Sequence, residues 1–188
     1  FLKVLNMKKV TFFIALLFVF FLAGCGYKPS NVVARDVIGS SVWVDVIISK
    51  TDPESTVVIK DGIKSAMLRR LGANLVDKNE ADSIIIASIK SLTFSSISYD
   101  QFGYATAYKA NLVMEYRLKQ KDGSIKSIIT SGDYDFRVTK RLNDRRFTDS
   151  VISDNERFDA ITNASLQCFD EFVSKLAMQG LLDGKPNL

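Results

Sequence analysis

The stretch ATAYKANLVMEYRLKQ, residues 105–120, alternates along almost its whole length. Tyr108, Ala110, Leu112, Met114, Tyr116 and Leu118 fall on one side, and Lys109, Asn111, Glu115, Arg117 and Lys119 on the other. A period of two with one apolar side marks a strand of an antiparallel sheet that buries one face. Asp122-Gly123 follows, a pair that tolerates the positive φ of a tight hairpin turn. The chain then returns over about Ser124 to Val138, with Ile128, Thr130, Tyr134 and Phe136 on one side. On the other flank, Ala81 to Phe94 holds three consecutive isoleucines, Ile84 to Ile86, and reads as a further strand with apolar atoms on both faces there.

Outside this three-strand unit the patterns change. SVWVDVIIS, Ser41 to Ser49, is rich in β-branched residues and reads as a strand with Val42, Val44, Val46 and Ile48 toward the core. Asp52-Pro53-Glu54 has the chemistry of a helix start: a capping carboxylate, a proline suited to the first helical position, and an acid at the positive end of the dipole. That helix runs to Leu71, with Gly72 as its left-handed stop and Ile59, Ile63, Ala66 and Met67 on one face. A last helix is predicted from about Asp154 to Gly180, opened by a capping box from Ser153 to Glu156. Phe158, Ile161, Cys168, Phe169, Phe172, Val173 and Leu176 form its apolar stripe; Asp159, Asn163, Gln167, Asp170 and Ser174 fall opposite. The element order is thus β-α-β-β-β-α. It predicts an α+β two-layer sandwich, a four-stranded, mostly antiparallel sheet with two helices on one face. The other face is left to Lys109, Asn111, Glu115, Arg117, Asp133 and Asp135, wet or held by a partner.

The amino-terminal region sets the compartment. FFIALLFVFFLAGCGYKPS, residues 12–30, follows Met7-Lys8-Lys9. The apolar run from Val10 to Leu22 is 13 residues, against the roughly 20 that cross a bilayer, and it suits the apolar region of a secretory signal. Leu22-Ala23-Gly24-Cys25 resembles a bacterial lipobox, in which small residues precede a cysteine that receives a diacylglyceryl thioether. The domain reading is a lipoprotein-type signal peptide over 1–24, a lipidated tether over 25–40, one α+β domain over 41–182 and a tail over 183–188. Gly26, where an Asp would retain the protein at the inner membrane, favours the outer membrane, periplasmic face.

Composition excludes whole classes of function. The chain has no histidine, which removes the commonest general base and metal ligand. Once Cys25 is acylated, Cys168 is the remaining thiol, and it reads as a small buried hydrophobe. No catalytic residue, no metal site and no cofactor beyond the covalent lipid on Cys25 is expected. Losing Lys3, Lys8 and Lys9 with the leader lowers the formal charge from +4 to +1, which is not the balance of a nucleic-acid binder. Two stretches are candidates for contact with a ligand or partner. RVTKRLNDRR, residues 137–146, carries Arg137, Lys140, Arg141, Arg145 and Arg146; it reads as a solvated loop or as a phosphate grip. SISYDQFGYA places Tyr99, Phe102 and Tyr104 in a loop, for local packing or for contact with acyl chains or a protein wall.

The element order, together with Cys25-Gly26-Tyr27, the Ala107-Tyr108 start of the third strand, the Asp-containing hairpin turn and Asp154-Asn155-Glu156, resembles the LptE family of lipopolysaccharide-assembly lipoproteins. The resemblance implies a non-enzymatic subunit that plugs and helps assemble the outer-membrane barrel LptD and that binds lipopolysaccharide. Some members carry basic residues where this chain has, by position, about Gln101 and Ser153, so those binding residues do not carry over. The alternative is a free-standing periplasmic lipid-binding or chaperone lipoprotein, which requires an apolar cavity within the fold.

Overall fold

The structure, a computed structural model, describes residues 29–47, 53–138, 141–143, 147–149 and 151–183. The expected leader, Cys25 and Ile48 lie outside them. The elements are α1 (Ser30–Ile38), β1 (Ser41–Ile47), α2 (Pro53–Ala66) running into a π-helical turn (Met67–Leu71), β2 (Asn74–Leu75), β3 (Ser83–Tyr99), β4 (Ala105–Gln120), β5 (Ile125–Arg137), β6 (Arg141–Asn143), β7 (Phe147–Asp149) and α3 (Asp154–Asp183). The main sheet has five strands in the order β2-β1-β3-β4-β5, and β6 and β7 pair by themselves.

The α+β reading holds, with two corrections. The sheet has five strands rather than four, because Asn74 and Leu75 add a short strand beside Ser41 and Val42. Two residues carry no period, so nothing in the pattern announced it. Within the main sheet antiparallel pairing is confined to β3-β4-β5; β1 lies parallel to both β2 and β3. The parallel pair follows from the helical crossover α2 between β1 and β3, since parallel neighbours need a long connection.

The second correction concerns the number of helices. Residues 30–38 were expected within a tether, but they form α1, with Val33, Ala34 and Ile38 buried. Val33, Ala34, Val37 and Ile38 sit at i, i+1, i+4 and i+5, one face of a short helix. α1 packs on α3 at Gly180, where a Cβ would come 2.5 Å from Val37 Cγ2. Gly180 is therefore a seat for α1, not the end of α3, which continues to Asp183. Gly72 is the expected left-handed stop, at φ 58° and ψ 29°, its N–H donating to the Met67 carbonyl.

The core lies between the helices and one sheet face. Val42, Val44 and Val46 of β1, Ile85 and Ala87 of β3, and Ala110, Leu112, Met114, Tyr116 and Leu118 of β4 are all buried, as the period-two pattern requires. Across from them stand Ile59, Ile63 and Met67, and Ile161, Phe169, Phe172 and Leu176. Tyr116 stacks on Phe172 at 4.6 Å between ring centres, a pairing worth about 0.5–1.5 kcal/mol beyond area burial. Cys168 is fully buried and donates to the Leu112 carbonyl at 3.4 Å. Burial pushes its thiol up to about 12, so it is an inert packing group.

Candidate functional site

Two surfaces are left after the core is built. The first is the open face of the sheet. The buried residues of β4 from Ala110 to Leu118 point to the helices, and among the described residues no helix covers the other side. Its charges are paired with opposite charges. Lys109 reaches Asp133 at 3.1 Å and Asp135 at 3.3 Å, and the Asp133 and Asp135 carboxylates raise its pKa. Lys90 pairs with Glu115 at 2.6 Å, and that ammonium, with the Ser127 hydroxyl at 2.7 Å, lowers the Glu115 carboxyl. Exposed Ile125 and Ile129 stand among these pairs. The face is thus mixed in chemistry and near neutral, as the alternation in β4 implied.

The second surface is the far end of β3, β4 and β5. The β3–β4 turn is held by one carboxylate: Asp100 Oδ1 accepts from the Phe102 N–H at 2.9 Å and the Tyr104 N–H at 3.0 Å. Gly103, at φ 83°, closes the turn by donating to the Asp100 carbonyl. This geometry presents Phe102 at 73% exposure and Tyr99 at 62%, with Ile97 and Tyr104 also exposed. The three candidate aromatics are therefore outward-facing, not packed over the sheet, and Tyr99 belongs to the end of β3 rather than to a loop. Beneath them Phe136 meets Phe94 edge to face at 6.2 Å and stacks with Tyr108 at 6.1 Å. The Arg157 guanidinium lies 5.6 Å over Phe94 and closes this cluster from the start of α3.

The same end holds the first of the candidate cations. Arg137 ends β5 opposite Ala107, whereas Tyr99 is opposite Ala105. Two strand residues separate those rungs, about 7 Å. A cleft of about 550 Å³ lies between them, lined by Ile97, Ser98, Thr106, Ala107, Asp135, Phe136 and Arg137. Arg141 begins β6; Lys140, Arg145 and Arg146 lie outside the described residues. The structure brings Arg137 to the aromatic tip, a proximity that 32 residues of intervening sequence between Tyr104 and Arg137 conceal. The two positions that depart from better-known relatives have local roles here. Gln101 sits in the tip turn. The Ser153 N–H and hydroxyl both donate to Glu156 Oε2, at 2.9 and 2.7 Å, the reciprocal cap of α3.

One functional feature escaped the sequence reading. β5 is an outer edge of the sheet, and α3 lies along it. Gln167 Oε1 accepts from the Asp133 N–H at 3.1 Å, Glu171 Oε2 from the Ser131 N–H at 2.6 Å, and Lys175 Nζ donates to the Ile129 carbonyl at 2.7 Å. Gln167, opposite the apolar stripe of α3 as read, is exposed and also reaches the sheet edge. The spacing explains the register. Four helical residues rise about 6.0 Å and two strand residues about 6.6 Å, so an antiparallel helix and strand stay matched over three rungs. Burial alone would raise the Glu171 carboxyl, but the Lys175 ammonium and the Ser131 amide bring it below its usual range.

A family model described as LptE, lipopolysaccharide-assembly, matches residues 41–176, from the first residue of β1 into α3. The chain belongs to the LptE family. Among solved structures, a protein from Caulobacter crescentus described as a lipoprotein is similar to this LptE-family chain with a TM-score of 0.50 at 14% identity, over 82% of this chain and 98% of that one; it shares the fold. Lipoprotein B from Nitrosomonas europaea matches at 13% identity and a TM-score of 0.45, over 87% of this chain and 100% of that one. Rare lipoprotein B from Shewanella oneidensis matches at 14% identity and a TM-score of 0.39, over 76% and 92%. No curated protein matches the chain in sequence. Among the described residues no helix is long and apolar enough to cross a membrane.

Proposed function

We propose that this LptE-family chain is a non-catalytic outer-membrane lipoprotein of lipopolysaccharide assembly, anchored by acyl chains on Cys25 and seated within an LptD-type β-barrel. The observation that carries the reading is the family match from β1 into α3. The open sheet face supports it. A large barrel lumen is polar, and a plug for it needs a wall-facing surface whose charges are balanced, as the Lys109–Asp133–Asp135 and Lys90–Glu115 groups are. The aromatic and basic end of the sheet is the surface proposed to meet lipopolysaccharide. Arg137, Lys140, Arg141, Arg145 and Arg146 would grip lipid A phosphates, and Tyr99, Phe102 and Tyr104 would lie against acyl chains or the barrel wall.

The reading of a free-standing lipid carrier finds less support. It needs an apolar space inside the fold, and the space between sheet and helices is filled by Tyr116, Phe169, Phe172 and Met114, each fully buried. Affinity purification of the tagged full chain from membranes in mild detergent tests the proposal. Recovery with a large outer-membrane barrel, and a Cys25 peptide heavier by its acyl chains, is the expected result. A chain recovered alone while the barrels remain folded rejects it.

A further inference from the structure

The lipid on Cys25 restricts where the folded body can sit, and the structure shows what it would set against the membrane. This inference rests on the acylation of Cys25. Five residue steps separate Cys25 from Ser30, where α1 begins. Fully extended they span at most about 17 Å. The first turn of α1 is therefore held within that reach of the leaflet carrying the lipid.

The neighbours of that first turn are specific. Asn31 Nδ2 donates to the Arg70 carbonyl at 3.5 Å, which fixes the start of α1 to the π-helical turn at the end of α2. That turn exposes Leu68, Arg69 and Arg70 side by side. Val32 and Arg35 are exposed on α1 itself, and the Arg35 guanidinium lies 3.6 Å from where a side chain on Gly72 would begin. The acids nearby are Asp170, paired with Arg70, and Asp36, also on α1. Lys28 adds a cation within the tether.

We propose that Arg35, Leu68 and Arg69, with Val32, form a membrane-contact surface for the anionic headgroups of the periplasmic leaflet. Guanidinium groups bind phosphate oxygens in pairs. The exposed Leu68 of the same turn can sit at the boundary of headgroup and acyl chain. The attraction between basic residues and anionic lipid fades within a Debye length, about 8 Å at physiological salt. A tether this short keeps the surface inside the range where it acts. The fold is thereby oriented as well as retained: α1 and the end of α2 face the leaflet, and the open sheet face is turned away from it.

The test uses the acylated full chain, purified in detergent and reconstituted on vesicles of phosphatidylcholine alone or mixed with phosphatidylglycerol. Cys25 is acylated and Cys168 buried, so a Leu68→Cys variant takes an environment-sensitive dye at one position. Its emission is expected to shift to the blue on phosphatidylglycerol vesicles, to return as salt is raised, and to stay unshifted in an Arg35→Glu/Arg69→Glu background whose circular dichroism is unchanged. Dye at Ile129→Cys, on the open sheet face, is expected not to respond. Equal emission on the two vesicle types with Cys25 acylated overturns this surface alone. So does a shift that appears only after a barrel protein is added. A Cys25 that mass analysis finds unmodified overturns the lipid reading, and this inference with it.

Discussion

The Ser131 amide donates to Glu171 Oε2 at 2.6 Å, and this bond fastens the long last helix to the outermost strand of the sheet. With Gln167 and Lys175 above and below it, the pair occupies backbone groups that an exposed edge would offer to a neighbouring chain. An unprotected edge strand is a template for pairing.

Replacing Glu171 and Lys175 together with Ala exposes the Ser131 N–H and the Ile129 carbonyl. Each lost hydrogen bond costs about 0.5–1.5 kcal/mol. The double variant is expected to exchange the Ser131 amide faster and to form dimers as concentration rises. Hydrogen exchange and sedimentation velocity check this; an unchanged monomer with unchanged protection contradicts the role given to the three side chains.

Between those rungs lies Gly132, buried against α3. A Cβ there would meet the Ala164 carbonyl oxygen at 2.2 Å and the Cys168 nitrogen at 2.9 Å. Backbone cannot step aside as a flexible side chain can, so Gly132→Ala pushes α3 off β5. The expected loss is about 1–3 kcal/mol, read from denaturant midpoints. Gly123→Ala serves as a comparison, since open space surrounds Gly123 and only its φ of 86° resists the change.

Stability falls with acid in a defined way. The Lys121 ammonium and the Ser41 hydroxyl and amide hold the Asp82 carboxyl far below its usual range, and Glu115, Asp45 and Glu171 are also depressed. A carboxyl whose folded pKa is lowered stabilises the fold above its unfolded pKa, and that contribution is lost as pH falls through the folded value. The melting temperature is therefore expected to decline below about pH 4, where free carboxyls begin to take up protons. Asp82→Asn should start lower at neutral pH and decline less steeply. A parallel decline in both proteins argues against the Asp82 contacts.

If the basic end of the sheet binds phosphate, Ala at Arg137, Arg141, Arg145 and Arg146 weakens lipopolysaccharide binding by about tenfold or more at low ionic strength, and by less at high salt. Fluorescence anisotropy with labelled lipopolysaccharide reads the change. Equal affinity for the variant and the unaltered chain removes these residues from the binding surface.

How far the sequence foretold this structure varies by element. β4 was legible residue by residue, because one buried and one open face impose a strict alternation: Leu112, Met114, Tyr116 and Leu118 went to the core as read. Gly72 and the Ser153–Glu156 cap were legible because each has local chemistry of its own. α1 was missed because nine residues offer little more than two helical turns of pattern. The parallel placement of β1 and the two-residue β2 depend on tertiary pairing, which no local period encodes. At the candidate site, the outward Phe102 and Tyr104 depend on a turn gathered by Asp100, and the meeting of Arg137 with that tip is a matter of strand register. The edge ladder of Gln167, Glu171 and Lys175 shows in sequence as spacing four apart on a polar face, indistinguishable there from solvated residues.

The central claim, that this body sits within a barrel, is tested most directly by a photo-crosslinking residue at Asn111, near the middle of the open sheet face. Irradiation of cells carrying the full chain is expected to give one high-mass adduct containing an outer-membrane β-barrel, with the same residue at buried Phe172 giving none. Absence of any barrel adduct from Asn111, in cells where the acylated chain is present in the outer membrane, contradicts the account.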